Sequence, residues 1–228
     1  ITVSSVDGTA SQKITIEITG TNDTPTITSA SPSTDFTASI AEDTSTVTGQ
    51  LAISDADSGE DKFTVQTADA TPTYGTFSIT EAGAWTYALD NTLPTVQALA
   101  VGDTLTDTVT VASKDGSKTE DITVTVTGTN DVPTITFTTG NDAGAVTEDA
   151  ATVTATGTLQ ISDVDAGESK FATATHSGNY GSLQIADTGV WTYTLNNSAV
   201  QSLGAGDTVD DVITVSSVDG TASEDITI

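Results

Sequence analysis

The 228-residue chain contains no Cys, and its 32 acidic residues against five Lys give a formal net charge of −27. A disulfide framework is therefore excluded, and binding to nucleic acid or to anionic membrane surfaces is not expected, because phosphate contacts need Lys and Arg. The length allows two ordinary domains, and no apolar run approaches the roughly 20 residues of a membrane-spanning helix. A bound divalent cation would relieve the mutual repulsion of so many carboxylates.

A repeated hairpin pattern opens the chain. Residues 1–11 recur without change as residues 213–223, and a related segment starts at Val109. Each copy consists of two alternating segments joined through Asp-Gly, which is a strong hairpin signal. The stretch Gly20–Pro25 recurs 108 residues later as Gly128–Pro133, with one Thr replaced by Val. This spacing predicts junctions between tandem domains.

The junctions divide the chain into three predicted segments. Residues 1–22 are expected to be the terminal hairpin of a preceding repeat. Residues 23–130 should form one complete repeat, and residues 131–228 a second repeat whose last strand is truncated. The pattern predicts a window cut from a longer protein.

The complete repeat is predicted to contain seven strands, the first of which is split. The strands are expected at Thr26–Thr28 plus Phe36–Ile40, Thr46–Ile53, Lys62–Thr67, Tyr74–Thr80, Ala84–Leu89, Leu105–Ser113 and Thr119–Thr127. One helical turn fits Pro94–Ala100. Short alternating strands rich in Thr and Val, without a helical period, predict a β-sandwich.

Alternate positions of these strands supply the expected cores. In the first complete repeat they are Val47, Leu51, Ile53, Phe63, Val65, Phe77, Ile79, Trp85, Tyr87, Leu89, Val109, Val111, Ile122, Val124 and Val126. In the second repeat they are Leu159, Ile161, Phe171, Leu183, Ile185, Trp191, Tyr193, Leu195, Ile213, Val215 and Ile226. Both Trp residues belong to these sets, which favours core packing over a sugar-binding platform.

Four motifs stand out in the first complete repeat: Tyr74–Phe77, Gly83–Asn91, Val96–Asp103 and Gly128–Pro133. Three of them have counterparts in the second repeat, at Tyr180–Leu183, Gly189–Asn197 and Val200–Asp207. Together these motifs resemble the VCBS repeat family. The resemblance covers essentially the whole chain. It implies an all-β fold of tandem immunoglobulin- or cadherin-like seven-stranded β-sandwiches. It also implies calcium and a place in the giant surface adhesins of bacteria, of the RTX type exported by type I secretion.

Two acidic loops, Asp55–Glu60 and Asp163–Glu168, share the pattern Asp-x-Asp-x-Gly-Glu. Three carboxylates at this spacing repel one another unless a cation lies among them, and hard oxygen ligands suit calcium. The loop is not an EF-hand, because Glu60 stands where that motif needs Gly. It resembles the Asp-Ala-Asp element of cadherins, which works with an Asn-Asp linker between domains.

The alternation of strand direction predicts two groups of metal ligands, one at each tip of the complete repeat. The first group comprises Asn22, Asp23, Asp55, Asp57, Glu60 and Asp115. At the opposite tip Glu42, Asp43 and Asp103, with Asp107 as a further candidate, should meet Asn130, Asp131, Asp163, Asp165, Glu168 and Asp219. The alternative interpretation is a set of solvated turn acids, since Asp and Asn favour turns.

These observations predict a structural extender, or stalk, of a large secreted adhesin on the bacterial cell surface, with roles in cell adhesion and biofilm. Calcium would stiffen the junctions between neighbouring repeats, and no enzymatic site is expected. Two alternatives stay open: a glycan- or protein-binding adhesin module, and a subunit of an extracellular filament with strands exchanged between copies. Residues 1–20 should be disordered or pair with another chain, because an isolated hairpin is marginally stable in water.

Overall fold

The computed structural model describes residues 1–30, 35–70 and 72–228, with residues 68–70 described by their backbone alone. The chain begins with a hairpin of β1 (Thr2–Ser4) and β2 (Ser11–Lys13), and two β-sandwiches follow it. Within the described ranges, none of the helices has the length and apolar character of a membrane span.

The N-terminal sandwich follows the hairpin. Its strands are β3 (Thr26–Ser29), β4 (Thr37–Ala41), β5 (Thr46–Ser54), β6 (Gln66–Ala70), β7 (Gly75–Ile79), β8 (Ala84–Leu89), β9 (Thr104–Ala112) and β10 (Thr119–Thr127). One helical turn, α1 (Pro94–Gln97), lies between β8 and β9, where the sequence predicted it. The observed bounds of β8 and β10 coincide with the predicted ones.

The C-terminal sandwich repeats this order. Its strands are β11 (Thr134–Phe137), β12 (Thr154–Ser162), β13 (Ala174–Ser177), β14 (Gly181–Ile185), β15 (Val190–Leu195), β16 (Val212–Ser216) and β17 (Ser223–Thr227). A 3₁₀ turn at Asn197–Ala199 takes the place of α1.

Each sandwich buries the alternate apolar residues of its strands between two sheets. In the N-terminal sandwich the order β3-β5-β8-β7-β6 faces the order β4-β10-β9, and β10 pairs parallel with β4 and antiparallel with β9. In the C-terminal sandwich the order β11-β12-β15-β14-β13 faces the hairpin β16-β17. Each sandwich has its own cluster of buried side chains. The predicted all-β fold of tandem sandwiches is thereby confirmed.

The largest side chain of each core lies over a glycine of the neighbouring strand. Gly49 is the cross-strand partner of Trp85, and a Cβ at Gly49 would lie 2.4 Å from the Trp85 ring. Gly157 and Trp191 form the same pair, with a corresponding distance of 2.5 Å. Both rings are buried, so they pack the cores and offer no surface to a sugar.

One predicted strand and one predicted core residue are wrong. The strand expected at Lys62–Thr67 begins only at Gln66, and before it Phe63 makes an isolated bridge to Ser113. Val65 lies between this bridge and β6, outside the paired strand, and it is 51% exposed. The second repeat carries Thr173 at this position, two residues after its own bridging Phe, which was a signal of exposure.

Candidate metal centres

Acidic side chains converge at the N-terminal tip of the N-terminal sandwich. The loop after β5 turns at Asp55, whose Oδ1 accepts the backbone N–H of Asp57 at 2.9 Å, and Gly59 turns the chain further with a φ of 85°. This turn brings Asp55 and Glu60 beside Asp115 of the β9–β10 loop. One oxygen of each carboxylate lies within 4.8 Å of the other two.

The segment before β3 joins this group through two hydrogen bonds. Asn22 Nδ2 donates to Asp115 Oδ2 at 3.0 Å, and the backbone N–H of Asp23 donates to Asp57 Oδ2 at 2.7 Å. All six residues expected at this tip therefore lie together. We call them the N-terminal cluster: Asn22, Asp23, Asp55, Asp57, Glu60 and Asp115.

The same arrangement recurs between the sandwiches. Asp163, Glu168 and Asp219 each place one carboxylate oxygen within 4.8 Å of the other two. Asn130 Nδ2 donates to Asp219 Oδ2 at 3.0 Å, and the backbone N–H of Asp131 donates to Asp165 Oδ2 at 2.8 Å. Asp165 is 2% exposed, so this group is deeper than its N-terminal counterpart.

The preceding sandwich adds three carboxylates to the group between the sandwiches. Glu42 Oε1 accepts the backbone N–H of Thr129 at 2.6 Å, and its side chain is 1% exposed. The backbone N–H of Ala166 donates to the carbonyl of Ala98 at 3.1 Å, which holds the acidic loop against the end of α1. We call the whole set the junction cluster: Glu42, Asp43, Asp103, Asn130, Asp131, Asp163, Asp165, Glu168 and Asp219.

Burial and mutual repulsion raise the pKa of three carboxyls in the junction cluster. Burial is the largest cause for Glu42, Asp131 and Glu168, and the charge of Asp165 raises the pKa of each of them further. Two exposed carboxylates of the preceding sandwich act across the junction as well. Asp43 raises the pKa of Asp131, and Asp103 raises the pKa of Glu168.

Hydrogen bonds stabilise the charged form of the carboxylate that closes each cluster. For Asp115, donors that include Ser113, Ser117 and Asn22 hold the pKa well below its usual range. Burial raises the pKa of Asp219, but hydrogen bonds from neighbours including Asn130 outweigh it and bring the pKa to about 2. Both groups are therefore ionised at neutral pH and able to bind a cation.

Both clusters fit a hard divalent cation, because buried carboxylate oxygens in them have no hydrogen-bond partner. Among the described residues these oxygens are Glu42 Oε2, Asp55 Oδ2, Glu60 Oε2, Asp163 Oδ2, Asp165 Oδ1, Glu168 Oε2 and Asp219 Oδ1. A buried charged oxygen without a partner is strongly unfavourable. Calcium takes six to eight oxygen ligands, a number that the carboxylate, amide and backbone oxygens here can supply.

The suggestion that Asp107 faces the junction is wrong. Asp107 is 3% exposed and accepts the backbone N–H groups of Thr73 and Tyr74 at 2.8 and 2.9 Å and the hydroxyl of Tyr87 at 2.6 Å. Burial and this hydrogen bond raise the pKa of Tyr87 far above its usual range. Asp211 makes the same three kinds of contact in the C-terminal sandwich. Both aspartates stabilise the cores.

Sequence reasoning missed the acidic residues at the far end of the C-terminal sandwich. They are Glu148, Asp149 and Asp207. The backbone N–H of Asp149 donates to Asn197 Oδ1 at 2.9 Å, as that of Asp43 does to Asn91 at 3.3 Å. The Glu-Asp pair of the first repeat therefore has a structural equivalent in the second. The recurrence of Glu-Asp in both repeats was the signal that could have found it.

Several solved cadherin ectodomains are similar to this chain. Protocadherin Gamma B2 extracellular cadherin domains 1–5 share 16% identity, with a TM-score of 0.49, over 92% of this chain and 39% of that chain. The Protocadherin GammaB4 extracellular domain shares 18% identity, with a TM-score of 0.48, over 92% and 32%. Mouse Protocadherin-24 EC1–3 shares 16% identity, with a TM-score of 0.38, over 100% and 76%.

The chain spans less than half the length of the two gamma protocadherins. No curated protein matches the sequence. The family described as "Bacterial cadherin-like domain" matches twice, over residues 22–128 and 130–228, which together cover nearly the whole chain. The chain therefore belongs to the bacterial cadherin-like domain family.

Proposed function

We propose that the chain is an extender of a large secreted adhesin at the bacterial cell surface, and that calcium stiffens the junctions between its repeats. In this proposal residues 1–22 are the terminal hairpin of a preceding repeat, residues 23–130 form one complete repeat, and residues 131–228 form a second repeat whose last strand is truncated. Its role in cell adhesion and biofilm is mechanical, without catalysis. The motifs shared with VCBS repeats support the assignment to RTX-type adhesins.

The observation that carries this proposal is that carboxylates of both sandwiches meet in the junction cluster. Glu42 comes from the N-terminal sandwich, and Asp163, Asp165 and Glu168 come from the C-terminal one. Each has a buried oxygen without a hydrogen-bond partner among the residues that the structure describes. A cation bound to oxygens of both sandwiches would hold them at a fixed angle. Calcium would supply the positive charge, and the chain would supply the ligands and their spacing.

The connection between the sandwiches is short enough for an ion to control it. Only residues 128–133 separate β10 from β11, and Pro133 at the end of this link is buried. Without a cation the carboxylates repel one another across the link. The Debye length is about 8 Å near 0.15 M salt, so monovalent salt screens groups this close and partly buried only incompletely.

Small-angle scattering of the 228-residue chain tests the proposal. We expect calcium to increase the rigidity of the particle and to fix its maximum dimension, whereas sodium alone or a chelator leaves a flexible pair of sandwiches. The double variant Asp163→Asn with Asp165→Asn should lose the calcium response, because two junction ligands become neutral.

The matched control is Asp55→Asn with Asp57→Asn, which makes the same change in the N-terminal cluster. This variant should keep the calcium-dependent stiffening, because it leaves every ligand of the junction cluster in place. If wild type shows the same dimension and flexibility in calcium, sodium and chelator, the extender mechanism proposed here is wrong.

A further inference from the structure

The linker between the two sandwiches is bound in two halves, each to a different sandwich. Its first half, Gly128 and Thr129, belongs to the N-terminal sandwich. The backbone N–H of Gly128 donates to the carbonyl of Asp103 at 3.0 Å, and that of Thr129 donates to Glu42 Oε1 at 2.6 Å. Since Gly128 follows the last residue of β10, the first half continues the N-terminal sandwich beyond the end of that strand.

The second half of the linker belongs to the C-terminal sandwich. Asn130 Nδ2 donates to Asp219 Oδ2 at 3.0 Å, and the backbone N–H of Asp131 donates to Asp165 Oδ2 at 2.8 Å. Both acceptors lie in loops of the C-terminal sandwich, one after β12 and the other between β16 and β17. The change from one sandwich to the other therefore falls at the connection between Thr129 and Asn130.

A segment that follows α1 supports the first half of the linker. We call residues 98–103 the α1 seat; Val96 and Leu99 anchor it, because both are buried in the core of the N-terminal sandwich. Gly128 packs directly on the backbone of this segment. A Cβ at Gly128 would lie 2.4 Å from the carbonyl oxygen of Leu99 and 2.2 Å from that of Ala100. Backbone atoms cannot swing aside as the end of a flexible side chain can, so the position requires Gly.

The α1 seat also contacts the C-terminal sandwich. Its first residue, Ala98, accepts the backbone N–H of Ala166 at 3.1 Å, and Ala166 belongs to the acidic loop Asp163–Glu168. One short segment therefore holds both the first half of the linker and the loop that follows the linker in space. All of these contacts join protein atoms, so the α1 seat needs no cation to form.

We propose that Gly128 is the positioning residue of the junction: because it lets the linker lie on the α1 seat, bending between the sandwiches is confined to the connection between Thr129 and Asn130. The residues before this pivot move with the N-terminal sandwich, and those after it move with the C-terminal one. The pivot lies inside the junction cluster, between the N–H that Glu42 accepts and Asn130. A cation bound there would act at the pivot itself; this last step rests on the proposed function, whereas the seat does not.

The opposite effect is expected if Gly128 serves only as a flexible linker residue. Gly has more backbone freedom than any other residue, and replacing it with Ala restricts the chain. Gly128→Ala would then make the junction stiffer. On the α1 seat, however, the added methyl group meets two carbonyl oxygens and displaces the linker, which frees residues 128 and 129. The same substitution then makes the junction more flexible, so the sign of the change separates the two roles.

Amide hydrogen exchange followed by NMR in chelator tests the α1 seat without any metal. We expect Gly128→Ala to speed exchange of the Thr129 amide about tenfold, the scale of one lost hydrogen bond. The amides of Val124 and Val126 in β10 should stay protected by their pairing with β9, which shows that the sandwich is folded. Val132→Ala is the control, because Val132 lies in the same linker with 67% of its surface exposed, and it should leave the Thr129 amide unchanged.

Small-angle scattering in calcium measures the consequence for the junction. Gly128→Ala should be more flexible than wild type, and so should Thr129→Pro, which removes the N–H that Glu42 accepts without adding an atom beside the α1 seat. If wild type does not respond to calcium but Gly128→Ala still speeds exchange of the Thr129 amide, the seat stands and the calcium proposal fails. If wild type does respond, a junction as stiff as that of wild type in either variant overturns the inference. Unchanged exchange of the Thr129 amide in Gly128→Ala overturns it in both cases.

Discussion

The N-terminal cluster and the junction cluster contain the same loop in two surroundings. In both, an Asp-x-Asp-x-Gly-Glu loop meets an Asp of the last hairpin and an Asn-Asp segment, with the same hydrogen bonds. At the junction cluster, Glu42 of the N-terminal sandwich lies close enough to the loop of the C-terminal sandwich for the charge of Asp165 to raise its pKa. The loop thus groups the carboxylates, while the neighbouring sandwich determines how deeply they are buried.

The two clusters also differ in one nearby cation. Lys114 Nζ donates to the carbonyl of Gly59 at 3.4 Å, beside the N-terminal cluster. The equivalent residue beside the junction cluster is Val218. A positive charge next to a cation site competes with the ion, so the junction cluster should be the stronger site for two separate reasons.

Calcium should have the largest effect, and it should act mainly through the junction. An ion that binds only the folded state stabilises it by about 2.7 kcal/mol at a hundredfold excess over its dissociation constant. We expect calcium to raise the melting temperature measured by calorimetry. Asp163→Asn with Asp165→Asn should lose most of this increase, and Asp55→Asn with Asp57→Asn should lose less. A melting temperature that is the same in chelator and in millimolar calcium would refute both the predicted stabilisation and its assignment to the junction.

Removing the contribution of the preceding sandwich should bring the two clusters closer together in affinity. Glu42→Gln keeps the size of the side chain and its acceptor for the Thr129 N–H, but removes one charged ligand. We expect calcium to bind the junction cluster about tenfold more weakly, which is about 1.4 kcal/mol. Titration calorimetry measures the change. Glu148→Gln, the matched change at the far end, should leave the junction unaffected; an equal loss in both variants would contradict the assignment.

Exchanging Lys114 and Val218, the equivalent residues beside the two loops, should produce a smaller change in calcium affinity. Lys114→Val should strengthen calcium binding at the N-terminal cluster, and Val218→Lys should weaken it at the junction cluster, each by about 0.2–1 kcal/mol as for other exposed charges. Each variant is measured with the opposite cluster disabled by its double Asp→Asn substitution. Changes of the same sign in the two variants would show that the nearby charge does not distinguish the clusters.

The pH dependence of the free energy of unfolding should be the smallest effect, because solvent screens two of the three groups concerned, the partly exposed Asp131 and Glu168. Folding raises the pKa of Glu42, Asp131 and Glu168 above their ordinary values of 4.5, 3.8 and 4.5. Their contribution to stability is therefore present at low pH and is lost as the pH rises through the raised values.

Calcium-free protein should thus gain stability from these three groups as the pH falls from neutral toward 5. Calcium-bound protein should lose stability over the same range, because protons compete with the ion for the carboxylates. Melting curves with and without calcium should converge on acidification. Asp165→Asn, which removes the charge that acts on all three groups, should flatten the calcium-free curve; a curve as steep as that of wild type would exclude these carboxyls as its cause.

Local patterns predicted most of the fold, because period-2 alternation and Asp-Gly turns specify strands such as β8 and β10 directly. The prediction of Val65 as a core residue was wrong because Val65 lies between the isolated bridge at Phe63 and the start of β6, outside the regular pairing that alternation assumes. The prediction that Asp107 lies at the tip facing the junction was wrong for a related reason. An Asp near a strand end resembles a turn residue, and only the fold brings Tyr87 and two backbone N–H groups to it.

The candidate site was predictable where residues are close in sequence and recur in both repeats, as in the acidic loops. The burial of Asp165 and Glu42 was not, because it depends on the approach of two sandwiches across the link. Their metal-binding roles stay predictions.

The parallel pairing of β4 with β10 determines how the N-terminal sandwich responds to pulling. β4 lies near the beginning of this unit and β10 at its end, and five residue pairs join them. Tension applied to the two ends draws parallel neighbours past each other, so their backbone hydrogen bonds bear load together in shear. An antiparallel hairpin pulled at its two ends would open one bond at a time. The N-terminal sandwich is therefore built to resist unfolding under tension applied along the chain.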